Sequence, residues 1–386
     1  MKILHVTSSL DPTMGGPVSA LTGLACAQAT QGLEVSVAAT FRHSPETDVP
    51  NSLKNSGVRE VTQIGPTISP LMWNPRIKSK IGRLVSSADI VHIYGVWEQI
   101  QYQTAQTCQR LKVPYIFEPC GMLDPWSLSQ KKLKKWIYLN LRMRRALQGA
   151  SLLHFTSDEE ARLVNNLKLT PPGLVRPLGI DTAEFASLPP RVCSTQSGLL
   201  NPKKLKLIFL GRVHYKKGVD LLISAFGRLK DIDCELVIAG PEHDPKYSRK
   251  LRELIDSLGI GARIQFTGML RGEEKIKALA SADLFILPSH QENFGIAVVE
   301  SLAAGTPVLI SDHVNIHPLI TQIKAGETVS NHADALEKTI RKWLTDSALR
   351  TQAGERGRKY VLENLSWQAI SRLWTETYLS LDSMRP

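Results

Sequence analysis

Ala282-Asp283-Leu284-Phe285-Ile286-Leu287-Pro288-Ser289 runs into Glu292-Asn293-Phe294-Gly295-Ile296-Ala297-Val298-Val299-Glu300, and the reading of this stretch decides the fold. Its first half is a short apolar run that stops at a proline, the pattern of a buried strand. Its second half predicts a helix from Ile296 to Ala304, ended by Gly305, which can supply the left-handed terminal residue. A new strand is expected at Pro307-Val308-Leu309-Ile310. Strand, loop, helix, strand is the repeating unit of a parallel α/β sheet. Glu300 falls between Val299 and Leu302 in an otherwise apolar helix, where a carboxylate is costly unless something polar meets it. Glu292 lies in the preceding loop. The helix start near Phe294-Gly295 offers backbone N–H groups suited to an anion. The plain alternative is that Glu300 is a solvated helix charge and Glu292 a loop charge.

Working outward, the same alternation recurs on both sides. Before the opening stretch come strands at Lys206–Gly211, Cys234–Ala239 and Ile264–Thr267, with helices at Val219–Leu229, Ser248–Leu258 and Glu273–Ala280. Earlier still, strands are expected at Ile3–Val6, Glu34–Thr40, Val58–Ile64, Ala88–Tyr94, Pro114–Glu118 and Leu152–Thr156, with a last one within Gly173–Gly179. Helices are expected at Val18–Gln31 and Thr104–Leu111, and Arg42–Asn55 reads as a polar connection. Ser157-Asp158-Glu159-Glu160 has the spacing of a capping box. Periodicity fails from Pro189-Pro190 to Pro202, which reads as a linker. The predicted architecture is two α/β domains, residues 1–180 and 181–366, with parallel sheets facing a central cleft. A C-terminal helix, about 367–386, is expected to return to the first domain. Ligands of such sheets sit at the C-terminal ends of the strands.

The chain has 386 residues, too many for one ordinary core. Its formal net charge of +11 favours an anionic partner such as nucleotide phosphates or an acidic membrane surface. Nucleic-acid binding would account for the charge and for nothing else. The five cysteines, Cys26, Cys108, Cys120, Cys193 and Cys234, are dispersed, which predicts reduced thiols in a cytosolic protein and argues against a zinc site. The apolar run at Met1–Val6 is too short for a signal peptide, and no stretch approaches a membrane span. A dinucleotide-binding dehydrogenase is disfavoured, since no GxGxxG follows the first strand. His5, His92 and His154 sit in or near strands and read as structural.

Gly211-Arg212-Val213-His214-Tyr215-Lys216-Lys217-Gly218 follows the first strand of the second half and precedes a helix. Arg212 and Lys217 there suit a diphosphate, the one as a bidentate donor and the other as a point charge. Gly15-Gly16 occupies the equivalent loop of the first half. With Glu292-x7-Glu300 and the Ser301-to-Val308 tail, these features resemble the family 4 (group 1) retaining glycosyltransferases of the GT-B fold, along nearly the whole chain. Gly121-Met122-Leu123-Asp124-Pro125-Trp126-Ser127-Leu128 looks like a signature of bacterial polysaccharide-building members.

The resemblance implies a nucleotide-diphosphate sugar donor held by the second domain, and it makes Arg212, Lys217 and Glu292 the catalytic set. Arg212 and Lys217 would hold the diphosphate and stabilise its departing charge, with no metal and no cofactor required. Glu300 would accept hydrogen bonds from the ribose. Glu292 would face the sugar, and the backbone at Asn293, Phe294, Gly295 and Ile296 would complete the pocket. The base would lie near Gly268-Met269-Leu270. Gly15 and Gly16 would let first-domain backbone approach the phosphate. Transfer to an acceptor hydroxyl would proceed with retention and without an enzymatic nucleophile. On the acceptor side the family often carries histidines; here Cys120 and Tyr94 stand in those places, with Asp124 nearby.

Ser129–Leu147 predicts a basic helix, with Lys131, Lys132, Lys134, Lys135, Arg142, Arg144 and Arg145, no acid, and Leu133, Trp136, Ile137, Tyr138, Leu139, Leu141 and Met143 interleaved. This pattern suits a membrane surface; the alternative is a helix docked on its own domain by its apolar stripe. The expectation is a hexosyltransferase of cell-surface polysaccharide synthesis. It would act on a glycan or lipid-linked acceptor, in the cytoplasm or at the inner face of the cytoplasmic membrane. Two other readings keep the fold: an epimerase or sucrose-type synthase with a soluble acceptor, and a nucleotide-sugar-binding protein without transfer.

Overall fold

In a computed structural model, which describes residues 1–68, 70–188 and 204–383, strands and helices alternate in two successive series. The 189–202 stretch read as a linker lies outside the described residues, as does Cys193. The first series supplies β1 (Lys2–Val6), β2 (Glu34–Thr40), β3 (Glu60–Ile64), β4 (Ile90–Tyr94), β5 (Tyr115–Glu118), β6 (Leu152–Phe155) and β7 (Gly173–Val175). They pair in parallel in the order β3-β2-β1-β4-β5-β6-β7. The second series supplies β8 (Leu205–Leu210), β9 (Cys234–Ala239), β10 (Ile264–Gly268), β11 (Leu284–Leu287), β12 (Val308–Ser311) and β13 (Gly326–Val329). Their order is β10-β9-β8-β11-β12-β13, again parallel.

Each sheet is wound outward from its middle. β1 lies beside β4, and β8 beside β11, so the chain reverses its direction of travel across the sheet at those two places. Loops leaving the C-terminal ends of such neighbours part to opposite faces and leave a crevice for a ligand. The strands are near-continuous apolar runs because helices cover both faces; all of Leu284–Leu287 and Val308–Ser311 is buried.

Met1–Gly179, together with the chain from Trp367, forms one compact unit, and Ile180–Ser366 forms the other. In the first unit the two-residue period of the strands divides the side chains cleanly. Leu4, Val6, Val91, Ile93 and Phe117 join the core on one face, while Val35, Val37, Ala39 and Tyr94 join the core on the other. The register places His5 opposite His92, and Tyr94 opposite Glu118. The helix Trp367–Ser383 brings Trp374 and Tyr378 onto this polar row, with the Tyr378 hydroxyl 2.9 Å from His92 Nδ1.

Three sequence expectations change. Arg42–Asn55 is not all irregular, since Asp48–Asn55 is a helix that buries Pro50 and Leu53; two buried residues in eight are too few for periodicity to show. Ser129–Leu147 is not one helix. It consists of Lys132–Tyr138, a π-helical turn Leu139–Met143 and Arg144–Gln148, preceded by a separate short helix Pro125–Ser129. Lys131, at φ 54°, breaks the path between the first two. The capping box is half formed. Ser157 accepts from the Glu160 N–H at 3.2 Å, but the Glu160 carboxylate turns to the N–H groups of Thr156 (2.8 Å) and Gly121 (2.7 Å). A buried carboxylate must find donors, and here these two N–H groups and the Thr156 hydroxyl, at 2.9 Å, supply them.

Candidate active site

β8 is an apolar run that stops at Gly211. Beyond it the His214 side chain accepts a hydrogen bond from the Lys216 N–H at 3.2 Å and opens a single turn, Tyr215–Lys217. Gly218, at φ 64°, closes that turn and starts the helix Val219–Phe226. A Cβ at Gly218 would collide with the Pro288 carbonyl oxygen at the end of β11, so glycine is needed there for space as well as for φ. The His290 N–H donates to the Lys216 carbonyl at 2.7 Å, which ties the β11 loop to the β8 loop. Adjacency of β8 and β11 thus brings Lys217 and Glu292 together, although 75 positions separate them. The Lys217 ammonium is in direct contact with the Glu292 carboxylate.

Glu292 is fixed through its own backbone. Its N–H donates to His313 O at 3.0 Å, and its carbonyl accepts from the Asn315 N–H at 3.0 Å. Asn315 Nδ2 also reaches Asn293 Oδ1 at 3.4 Å. The Phe294 ring is core, only 3% exposed, so this residue can offer a ligand little but its backbone. Gly295, at φ 78°, caps the helix Ile296–Ala303, whose first N–H groups have no partners within the helix. On that helix Glu300 meets Lys275, from the helix Gly272–Ser281, with Nζ 2.6 Å from Oε1. Lys275 is the residue that sequence reasoning missed. A carboxylate in an apolar helix signals a partner, but not which of the chain's lysines supplies it.

Burial, Lys216 and Arg212 pull Lys217 down to about 7, while the Glu292 carboxylate in contact with it acts in the opposite direction. Burial pushes the Glu300 carboxyl up against the pull of Lys275. Both pairs lie at the edge of the domain's interior, their side chains 15–19% exposed. Arg212 is exposed, and its charge depresses Lys217 and His214. Positive charge is therefore concentrated beside the start of Val219–Phe226, itself the positive end of a helix. The arrangement is suited to an anion with hydroxyls on either side of it.

In the first unit, the loop leaving β1 carries Gly15 at φ 76° and Gly16 at the start of the helix Gly16–Thr30. No atom lies within 4 Å of a Cβ built on either one, so their backbone is bare. The three residues read as acceptor-side are placed differently from one another. Tyr94 is buried, and its hydroxyl lies 3.0 Å from His5 Nδ1. Asp124 is buried as the N-cap of Pro125–Ser129, accepting from the Trp126 N–H at 2.7 Å. Cys120 is half-buried at φ 53°, with its thiol 3.4 Å from Glu118 Oε1. Burial and the Glu118 and Glu160 carboxylates push that thiol well above its ordinary pKa, so it stays protonated and a poor nucleophile.

His92, Glu118 and His154, all buried, have ligand atoms within 4.8 Å of one another and could hold a cation. Their own chemistry already pairs two of them. His154 Nε2 lies 2.9 Å from the Arg176 carbonyl, which can only accept, so Nε2 carries a hydrogen. Nδ1 faces Glu118 Oε2 at 2.9 Å. Burial opposes charge on His154, yet the Glu118 contact outweighs it and holds the pKa above its usual value. The contact is an ion pair whenever His154 is protonated, and Glu118 favours that form. His5 and His92 are kept neutral by burial.

Two family models match the chain, Glycosyl transferase 4-like domain over residues 15–179 and Glycosyl transferases group 1 over residues 194–360. The chain belongs to the group 1 glycosyltransferases. It is similar to an uncharacterized glycosyltransferase of Methanocaldococcus jannaschii, 27% identical over 98% of both chains. It is 32% identical to the GDP-mannose-dependent alpha-(1-6)-phosphatidylinositol dimannoside mannosyltransferase of Mycobacterium tuberculosis, over 43% of this chain and 42% of that protein. Among solved structures, Anabaena HepE in complex with UDP and glucose superimposes with a TM-score of 0.80 at 19% identity, covering 98% of this chain and all of the other. The fold is GT-B, and the protein is a glycosyltransferase enzyme.

The basic segment of this group 1 glycosyltransferase is divided by its packing. Lys135 turns inward to the Ser127 carbonyl at 2.6 Å, Arg142 lies over the Tyr102 ring at 4.2 Å, and Arg144 reaches the Leu167 carbonyl at 3.0 Å. These three do not project as a surface charge, contrary to the sequence expectation. Lys131, Lys132, Lys134 and Arg145 are exposed. Of the apolar residues, Leu139 and Met143 are core, whereas Leu133 (69%), Trp136 (61%), Ile137 (41%) and Leu141 (84%) are exposed. No helix of the described residues is long and apolar enough to cross a membrane.

Proposed function

We propose that this glycosyltransferase transfers a hexose, with retention, from a nucleotide-diphosphate sugar to a hydroxyl of a glycan or lipid-linked acceptor in bacterial cell-surface polysaccharide synthesis. The observation that carries the reading is the meeting of Lys217 and Glu292 at the C-terminal ends of β8 and β11, with Glu300 on the adjoining helix. The anion that fits beside Lys217 and Arg212 is the donor diphosphate. On binding, Lys217 exchanges Glu292 for phosphate oxygens, and the released carboxylate accepts from a hydroxyl of the sugar. Glu300, held by Lys275, accepts from the ribose. The backbone at Asn293–Ile296 completes the pocket, and the bare backbone at Gly15 and Gly16 is proposed as a further phosphate contact. HepE, in complex with UDP and glucose, gives the same fold a nucleotide and a sugar.

In this mechanism the bond from the anomeric carbon to the diphosphate breaks, and the bond to the acceptor oxygen forms on the same face. The acceptor proton passes to the departing phosphate oxygen. Arg212 and Lys217 supply positive charge to that leaving group, the service a divalent metal gives elsewhere, so the reaction is proposed to need neither metal nor cofactor. The exposed Leu133, Trp136, Ile137 and Leu141, ringed by Lys131, Lys132, Lys134 and Arg145, are proposed to rest on an anionic membrane surface, with the enzyme at its cytoplasmic side. Nucleic acid has no part in this reading.

The test is sugar transfer to membrane-extracted acceptors from a panel of UDP-, GDP- and ADP-sugars, with and without a chelator. One donor is expected to turn over, unaffected by the chelator, with the anomeric configuration kept. Inversion, or turnover of soluble sugars alone, would refute the reading.

A further inference from the structure

A pocket of about 480 Å³ opens on the first unit between the helix Gln99–Leu111 and the end of the basic segment. Arg110, Arg142 and Arg145 line it, with Tyr102, Gln109 and Leu141, and no lining residue is acidic. Its wall is built rather than incidental. Gln109 Nε2 donates to the Arg145 carbonyl at 3.1 Å and to the Tyr115 hydroxyl at 2.8 Å, and that hydroxyl donates to the Ala146 carbonyl at 2.6 Å. Arg142 is fixed over the Tyr102 ring at 4.2 Å and is also hydrogen-bonded to Gln99. The π-helical turn Leu139–Met143 leads directly into Arg144–Gln148, and Arg142 and Arg145, three positions apart, share a face toward Arg110. Among the described residues, the guanidinium groups of Arg110 and Arg145 have no hydrogen-bond or ion-pair partner. Three like charges around one concavity repel each other until an anion enters.

The shape and the rim narrow the choice of anion. Planar guanidinium groups match the oxygens of a phosphate bidentately. Leu141, 84% exposed, stands at the mouth and continues the apolar ridge of Trp136 and Ile137. A phosphate with an apolar chain attached would satisfy both parts. We propose that this pocket binds the phosphate of a phosphate-ester head group, the apolar remainder lying along Leu141. The inference rests on the membrane-surface reading above and sharpens it from a diffuse attraction to a defined site.

Vesicle co-sedimentation separates the two. Vesicles of phosphatidylcholine carrying either phosphatidic acid or phosphatidylserine, matched in charge, are compared for the wild type, for Arg110→Gln/Arg145→Gln and for Lys131→Gln/Lys132→Gln/Lys134→Gln. The wild type is expected to prefer phosphatidic acid. The lysine variant binds both lipids less but keeps that preference. The arginine variant loses it, with affinity for phosphatidic acid down by about fivefold for each arginine removed. Thermal stabilisation by soluble glycerol 3-phosphate, seen in the wild type and absent from the arginine variant, provides a readout without a membrane. If it appears while no vesicle binds, the site stands and its ligand is a soluble phosphate ester. The proposal is overturned if the arginine variant, melting like the wild type, keeps both the lipid preference and the glycerol 3-phosphate stabilisation, or if the wild type shows neither. Absence of binding to every anionic vesicle, with stabilisation intact, would remove the membrane reading alone.

Discussion

Two ion pairs, Lys217–Glu292 and Lys275–Glu300, account for the two glutamates first noticed in the sequence. A carboxylate on an apolar helix must be met by something, and in the unliganded protein Lys275 meets it. The consequence is testable. Lys275→Met leaves Glu300 buried and unpaired, its pKa already raised by burial, and should cost roughly 2 kcal/mol of stability by urea denaturation. Lowering the pH should return part of that loss, because protonation removes the uncompensated charge. A variant as stable as the wild type at neutral pH would show that the pair carries no energetic weight. The glutamates were legible as candidates from their spacing and their apolar surroundings. Lys275 was not, because its position relative to Glu300 is set by helix packing.

At the scale of elements, legibility followed how much each element relies on local pattern. β9 is legible to the residue because Asp233 and Gly240 bound its apolar run, and β2 because an alternating stretch follows the stop at Gly32. The helices Ile77–Ser86 and His317–Ile323 are absent from the sequence expectations, the latter being short and marked mainly by its proline. The basic segment was misread as one helix because its composition is uniform, whereas its path is set by the left-handed Lys131 and by the buried Leu139 and Met143. The β8 loop shows the same dependence on tertiary contact. Gly218 allows it to lie against Pro288, which is what carries Lys217 to Glu292. Gly218→Ala should destabilise the domain by about 2–4 kcal/mol, through both the positive φ and the backbone collision, and should weaken donor binding with it. A melting temperature and donor affinity both unchanged would mean that the loop has room the structure does not show.

At the scale of the whole molecule, the net charge of +11 is not spread evenly in its effect. Cations gather at the Arg212–Lys217 loop and along the basic segment, while the buried row of the first unit holds His5, His92 and His154 against Glu118. That row fixes a pH dependence. Burial lowers His5 to about 4 and lowers His92 as well, so unfolded chains bind more protons between about pH 4 and 6.5, and stability rises with pH there. His154 is raised by Glu118, so its contribution is present below 6.5 and is lost as pH climbs through the folded value. The row's share of stability should therefore peak near neutrality, and Glu118→Gln should remove the alkaline fall that His154 supplies, read as the difference between variant and wild-type urea profiles across pH. Identical pH dependence in the two proteins would contradict this account of the row. The central claim concerns the second domain, and calorimetric titration of UDP-, GDP- and ADP-sugars tests it most directly. One of them should bind the wild type, and Lys217→Ala, shown to be folded by a cooperative melt well above the titration temperature, should bind it on the order of 10- to 100-fold more weakly. Equal affinity in the two proteins, or no binding of any of the three to the wild type, would contradict it.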